Sequence, residues 1–191
     1  HLLEEPGKYG LASLTADMMN EGTERFSAEE FEVELDKLGS SISVTAGSQS
    51  TTINMRSLSR NLDATLELLE ERLFASVFTE DDLTRLRQQS IESIEADKEE
   101  PSSIAANVYR QLIYGEGHPF AISSAGQIDT LENITLEDIQ AFSQQSLVSQ
   151  VLDVVVIGDI EQEEILPKLD FLGIINNARV ELPELPSTPI I

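Results

Sequence analysis

The chain has 191 residues, enough for one domain or at most two with a sizeable core, and 40% of them are hydrophobic, a folded rather than a disordered composition. With 12 Lys and Arg against 35 Asp and Glu, the net charge is -23, which disfavours binding to a nucleic-acid backbone or an anionic lipid surface. The absence of cysteine excludes disulfides, thiolate zinc sites and a Cys nucleophile, and no apolar run approaches the ~20 residues that cross a bilayer.

The chain opens "HLLEEPGKYG", with no start Met and no charged n-region, and is expected to be a piece of a longer protein. Pro6 and Gly7 mark a turn before a first helix over residues 8–20, which Gly22 ends. Ser27 and Glu30 form an S-x-x-E capping box, flanked by Phe26 and Phe31 at the staple positions. The helix that follows carries Phe31, Leu35 and Leu38 on one face and stops at Gly39. "SISVTAG" and "TTINMRSL" alternate apolar and polar residues on either side of Gly47, predicting an antiparallel pair with one buried face.

Helical spacing then dominates. Leu62, Leu66, Leu69 and Leu73 predict a long amphipathic helix. Thr79 with Asp82 caps another that turns Leu83, Leu86 and Ile94 inward, and Pro101 separates it from a helix bearing Ile104, Val108 and Leu112. A Gly-rich loop, "GEGHPFAISSAG", precedes a helix capped by Thr135 and Asp138 and running through Ile139 and Phe142. "VLDVVVIGD" is a continuous apolar run of strand length, predicting a strand covered on both faces. A short helix through Ile165 and Leu169 follows, and the tail "VELPELPSTPII" holds three of the seven prolines, as an extended linker does. The fold class expected is α+β, with an antiparallel sheet packed against several helices.

Catalytic chemistry finds little support. A catalytic zinc takes three protein ligands, and the chain has two histidines, His1 and His118, which share no helix turn. His118 precedes Pro119 in the Gly-rich loop, which suits a structural or solvent-facing role. No G-x-S-x-G elbow, P-loop or G-x-G-x-x-G is present, and the acidic stretches "GDIEQEEI" and "EADKEE" lack EF-hand spacing.

One stretch is more informative. "GLASLTADMMNEGT", residues 10–23, resembles the first-helix signature of the insulinase/pitrilysin family of zinc metallopeptidases, G-L-A-H-x-x-E-H-M-x-x-x-G-T. Gly10, Leu11, Ala12, Met18, Gly22 and Thr23 keep the frame, while the H-x-x-E-H positions fall on Ser13, Ala16 and Asp17. Both zinc histidines and the general-base glutamate of the resemblance are therefore missing. The family's third ligand, a glutamate, aligns with Glu92 or Ser93, ahead of Pro101. The resemblance continues through the hairpin, the helices after it and the segment from "YGEGHPFAISSAG" to "VLDVVVIGDI".

The resemblance implies one insulinase-type repeat over residues 1–178, with its first strands preceding His1, and a Pro-rich linker over 179–191 toward a following repeat. It implies a catalytically inactive repeat that forms part of a peptide-binding clamshell chamber, with its three degenerate positions facing a cavity. Zinc, and the zinc-bound water that attacks the peptide bond, belong on this reading to an H-x-x-E-H-bearing repeat in the same chain or in a partner subunit. No metal or other cofactor is expected in this fragment. Peptides are the expected substrates, nucleic acid and membrane insertion are not expected, and the compartment implied is the periplasm. The alternative is a non-catalytic peptide-binding or assembly subunit of a processing-peptidase-like complex. An autonomous hydrolase is disfavoured by the residue inventory.

Overall fold

The computed structural model describes residues 2–115, 117–179 and 183–186. Its first helix, α1 (Leu11–Met19), buries seven of its nine residues, so it has core on more than one side. Gly10 turns into it with a left-handed φ of 101° and supplies no capping side chain. The cap comes instead from Glu4, whose Oε1 accepts the Ala12 N–H at 2.8 Å and sets a carboxylate at the positive end of the helix. Helix α2 (Ala28–Leu38) begins with the expected reciprocal box: Ser27 N–H donates to Glu30 Oε2 at 2.9 Å, and Glu30 N–H donates to Ser27 Oγ at 3.3 Å. The Phe26 and Phe31 rings meet edge to face, 6.1 Å apart.

Strands β1 (Ser41–Ala46) and β2 (Thr51–Arg56) pair antiparallel, with Val44 opposite Ile53. Ile42 and Val44 point into the core while Ser41, Ser43 and Thr45 face outward, the alternation read in the sequence. The far edge of β1 meets α1 through one side chain. Asn20 Nδ2 donates to the Val44 carbonyl at 2.8 Å, and Asn20 Oδ1 accepts the Val44 N–H at 2.9 Å. The side-chain amide thus stands where a neighbouring strand's backbone would.

Helices α3 (Leu62–Phe74), α4 (Glu80–Asp97), α5 (Pro101–Tyr114), α6 (Ile128–Glu132), α7 (Leu136–Ser146) and α8 (Gln162–Lys168) complete the α+β fold. Two apolar cores lie on either side of α1. One joins Ala16 and Met19 to Phe31, Leu35, Ile42, Val44, Leu66, Leu69, Leu73 and Ile165. The other joins Leu11, Leu14 and Met18 to Leu83, Leu86, Leu131, Ile139 and Phe142. The start of α1 lies hard against the turn before α6. A Cβ on Gly126, itself at φ 83°, would stand 2.2 Å from the Tyr9 carbonyl oxygen, so only glycine permits this approach.

Arg72 joins the elements around the sheet-side core. It is fully buried on α3, and its Nη1 donates to the carbonyls of Met19, at 2.7 Å, and Glu21, at 2.8 Å. Its guanidinium carbon lies 3.8 Å from the centroid of the Phe31 ring, and Nη2 comes within 3.8 Å of Glu32. A cation therefore caps the C-terminal end of α1 while stacking on α2.

Two expectations need revision. "VLDVVVIGD" is not a strand: residues 152–157 are irregular, exposed and without a sheet partner, because the described residues supply no layer on either side of them. The helix read after Pro101 is present as α5, and its Ile104, Val108 and Leu112 are exposed. The Gly-rich loop ends in a helix of its own, α6, whose box has Gln127 in place of a Ser or Thr. His1 and most of the tail expected as a linker lie outside the described residues.

Arg72→Met leaves the Met19 and Glu21 carbonyls buried without a donor and removes the cation from Phe31. The expected loss is about 3 kcal/mol of unfolding free energy, with Arg72→Lys losing less because it keeps a donor. Urea unfolding of the two variants checks this, and a Met variant as stable as the parent would contradict the clamp.

Candidate functional site

The motif frame lies on α1 where it packs against α4. Ser13 and Asp17 are half-buried, one helical turn apart on one face. Ala16 points the other way: it is fully buried in the sheet-side core rather than facing a cavity. A glutamate there would have to enter an apolar cluster or displace it, which is costly for a carboxylate.

Asp17 lines a cleft of about 350 Å³ between α1 and α4, together with Asn20, Glu21, Leu86, Gln89, Ser90 and Ser93. The α4 residues recur at positions i, i+3, i+4 and i+7, the face that α4 turns toward α1. The geometry separates the two candidates for the third position. Ser93 lines the cleft, whereas Glu92 is exposed on the outer face, where its Oε1 accepts a hydrogen bond from Gln88 Nε2 at 2.9 Å.

The cleft is acidic but poor in donors for a metal. Glu21 is engaged by Arg85 at 2.8 Å, and Arg85 also pairs with Asp82 at 3.0 Å. Burial pushes the Asp17 carboxyl above its ordinary range, and the negative charge of Glu21 adds to that shift. Among the described residues no three His, Cys, Asp or Glu side chains are placed to hold a metal ion. Zinc takes three protein ligands in a catalytic site, so the residues present in this cleft do not fit it.

Two neighbouring features complete the surface. His118 is buried, accepts the Phe120 N–H on Nδ1 at 3.1 Å and stacks on Tyr114 with ring centroids 5.1 Å apart, a structural pin for the Gly-rich loop. A wider cleft of about 730 Å³ opens between α5, the end of α4 and the turn before α6, with Arg110, Asn107, Asp97 and Asp129 among its walls.

Comparison with known proteins gives this helix frame its context. The sequence profile of the insulinase family, peptidase family M16, matches residues 1–118, and the chain belongs to that family. Among curated proteins it is similar to the non-peptidase homolog YmxG of Helicobacter pylori, with 25% identity over 182 residues, 95% of this chain and 40% of that protein. Among solved structures it is similar to the inactive domain of an M16 peptidase from Pseudomonas fluorescens, with TM-score 0.87, 22% identity and coverage of 97% of this chain and 45% of that one. It is also similar to the periplasmic protease PqqL of Escherichia coli, with TM-score 0.82, 18% identity and coverage of 98% of this chain and 22% of that one. The chain thus spans less than half the length of these relatives.

The Asp17 shift sets the direction of a pH effect. A carboxyl with a raised folded-state pKa adds stability while protonated and loses it as pH rises through that pKa. Asp17→Asn should therefore melt above the parent at pH 7, and the gain should shrink to nothing on acidification below the usual carboxylate range. A gain that persists at pH 3 would show that charge at Asp17 is not the cause.

Proposed function

We propose that the chain is a catalytically inactive repeat of a zinc-dependent metalloendopeptidase, with residues 1–178 as the repeat and 179–191 leading onward. In this reading it forms part of the chamber that grips a peptide, and hydrolysis belongs to an H-x-x-E-H-bearing repeat. The observation that carries the reading is α1 itself. It keeps the packing residues of the motif frame between two cores, while Ser13, Ala16 and Asp17 stand at the three reactive positions; of these Asp17 lines a cleft with Ser93. The similarity to an M16 inactive domain supports it.

The zinc of the complete enzyme lies outside this chain in this reading, and the periplasm is the proposed compartment, supported by the similarity to PqqL. A second reading, a non-catalytic peptide-binding or assembly subunit, is favoured by the similarity to a non-peptidase homolog. An H-x-x-E-H motif within the same polypeptide selects the first reading, and one only on a separate subunit selects the second.

Deletion tests the chamber role. Removing residues 1–191 from the complete enzyme should leave metal bound in the catalytic repeat but reduce kcat/KM for a long peptide by at least ~100-fold, because closure and alignment are lost. The double substitution Ser13→Ala with Asp17→Ala should change kcat/KM by less than about threefold. A double variant as impaired as the deletion, with folding intact, would mean that the degenerate positions act directly.

The site frame has its own test. The parent chain should hold no stoichiometric zinc after dialysis. Ser13→His, Asp17→His and Ser93→Glu together should install about one zinc per chain, since residues 13 and 17 lie one turn apart on α1 and Ser93 shares the cleft with Asp17. The two His substitutions alone, with Glu92 in place, should bind far more weakly. Equal zinc content in both variants would remove Ser93 from the third position.

A further inference from the structure

The wider cleft between α4, α5 and α6 holds charges of both signs that do not meet. Arg110 stands on α5, and Asp129 and Glu132 stand on α6. All three line one cavity of about 730 Å³, yet Arg110 forms no ion pair among the described residues. The chain has 35 acidic residues for 12 basic ones, so partners are not in short supply.

The Arg110 guanidinium is poorly used by the fold. One terminal nitrogen, Nη2, donates to Asn107 Oδ1, a neutral amide one turn back on the same helix, and Nε is buried without an acceptor. Arg72 and Arg87 also leave Nε without an acceptor, but their terminal nitrogens reach carbonyls of other elements: Met19 and Glu21 for Arg72, Ile134 for Arg87. Those two cations tie the fold together. Arg110 bonds only its own helix, which buries none of its residues and belongs to neither core. A guanidinium has five N–H donors, and leaving one dry and unpaired is costly.

The rest of the wall is chemically mixed. Ile94, Ile122 and Ile128 supply apolar surface, and Gln111 and Gln127 supply side-chain amides that both donate and accept. The volume falls in the range of sites that enclose small organic ligands, ~300–1,000 Å³. A simple anion is disfavoured because Asp97, Asp129 and Glu132 line the cleft, and a simple cation because Arg110 and Lys98 do. The walls suit a ligand with one charge of each sign, amides that hydrogen-bond and apolar branches. We propose that this cleft binds a short peptide with both ends free, its α-carboxylate on Arg110 and its α-ammonium on Asp129 and Glu132. A free amino acid carries both charges on one carbon, whereas the cleft sets its own on two helices, out of ion-pair contact. The cleft shares no lining residue with the one at Asp17, so this proposal and the chamber reading fail separately.

Calorimetric titration with trileucine, both ends free, should give a Kd below about 1 mM at pH 7. N-acetyl-trileucine and trileucine amide each lack one charge and should each bind at least ~10-fold more weakly. Arg110→Gln should lower the affinity for trileucine to that of its amide, with no further loss on amidation. Asp129→Asn with Glu132→Gln should do the same for acetylation. Arg110→Lys, which keeps the charge, should retain a preference for the free carboxylate. Circular dichroism should find all three variants folded, as expected of side chains outside both cores. A blocked peptide that binds as tightly as the free one overturns the proposal, and so does a carboxylate preference that survives Arg110→Gln. Leucine that competes at the same concentration as trileucine overturns it in favour of a free amino acid. A long peptide ending in three leucines cannot bring both ends into the cleft and should bind like the acetylated form. Binding as tight as that of trileucine would show that a free amino end plays no part.

Discussion

The architecture depends on the burial of one cation. Arg72 sits where the C-terminal end of α1, the first turn of α2 and the inner face of α3 converge, and each contributes something that it needs. The two carbonyls come from the end of α1 and the residue beyond it, the aromatic face from α2, and the apolar enclosure from the Leu66, Leu69 and Leu73 side of α3. Desolvating a guanidinium is expensive, and that expense is offset only when all three are in register. The interaction therefore acts as a geometric check, because α1 cannot slide along its axis or rotate without stranding either the cation or the carbonyls.

Fixed in this way, α1 is held by packing that does not depend on what stands at Ser13 or Asp17. Reactive positions on a helix are costly to maintain only for the groups that perform the reaction; the rest of the surface is packing. On α1 the packing surface nearly encircles the helix, with Leu11, Leu14 and Met18 toward α4 and α7 and with Ala16 and Met19 toward the sheet. Ala16 shows the consequence most directly. Its methyl is fully buried in the sheet-side core, so that face of the helix is packing and nothing else.

Local signals were the most legible part of the fold. The boxes at Ser27 and Thr135, the cap at Thr79, the hairpin across Gly47 and the leucine spacing of α3 are all short-range devices, and each appears where the sequence placed it. Arg72 was missed although it follows Leu69 by three positions and so lies on the buried stripe. A hydrophobic count skips a cation, and only the fold reveals the carbonyls that satisfy it. The absence of H-x-x-E-H from residues 10–23 is legible in the chain, but which of Ser93 and Glu92 lines the cleft is not, since adjacent residues on a helix differ by about 100°. The "VLDVVVIGD" run failed for a related reason. Its composition asks for layers on both sides, and composition alone does not reveal that the described residues supply none.

The Asn20 bridge to Val44 gives the two-stranded sheet a direction of growth. A strand approaching the far side of β1 would find the N–H and C=O of its central residue already occupied by a side-chain amide, and it would have to displace helix α1 to reach the rest. Among the described residues the β2 side carries no such plug. The bridge works as a terminator, so that accretion of strands, whether in assembly or in misassembly, proceeds from one margin only. An exchange of Asn20 for a residue without an amide would leave the Val44 N–H and C=O unpaired, with α1 alone standing between that margin and an incoming strand.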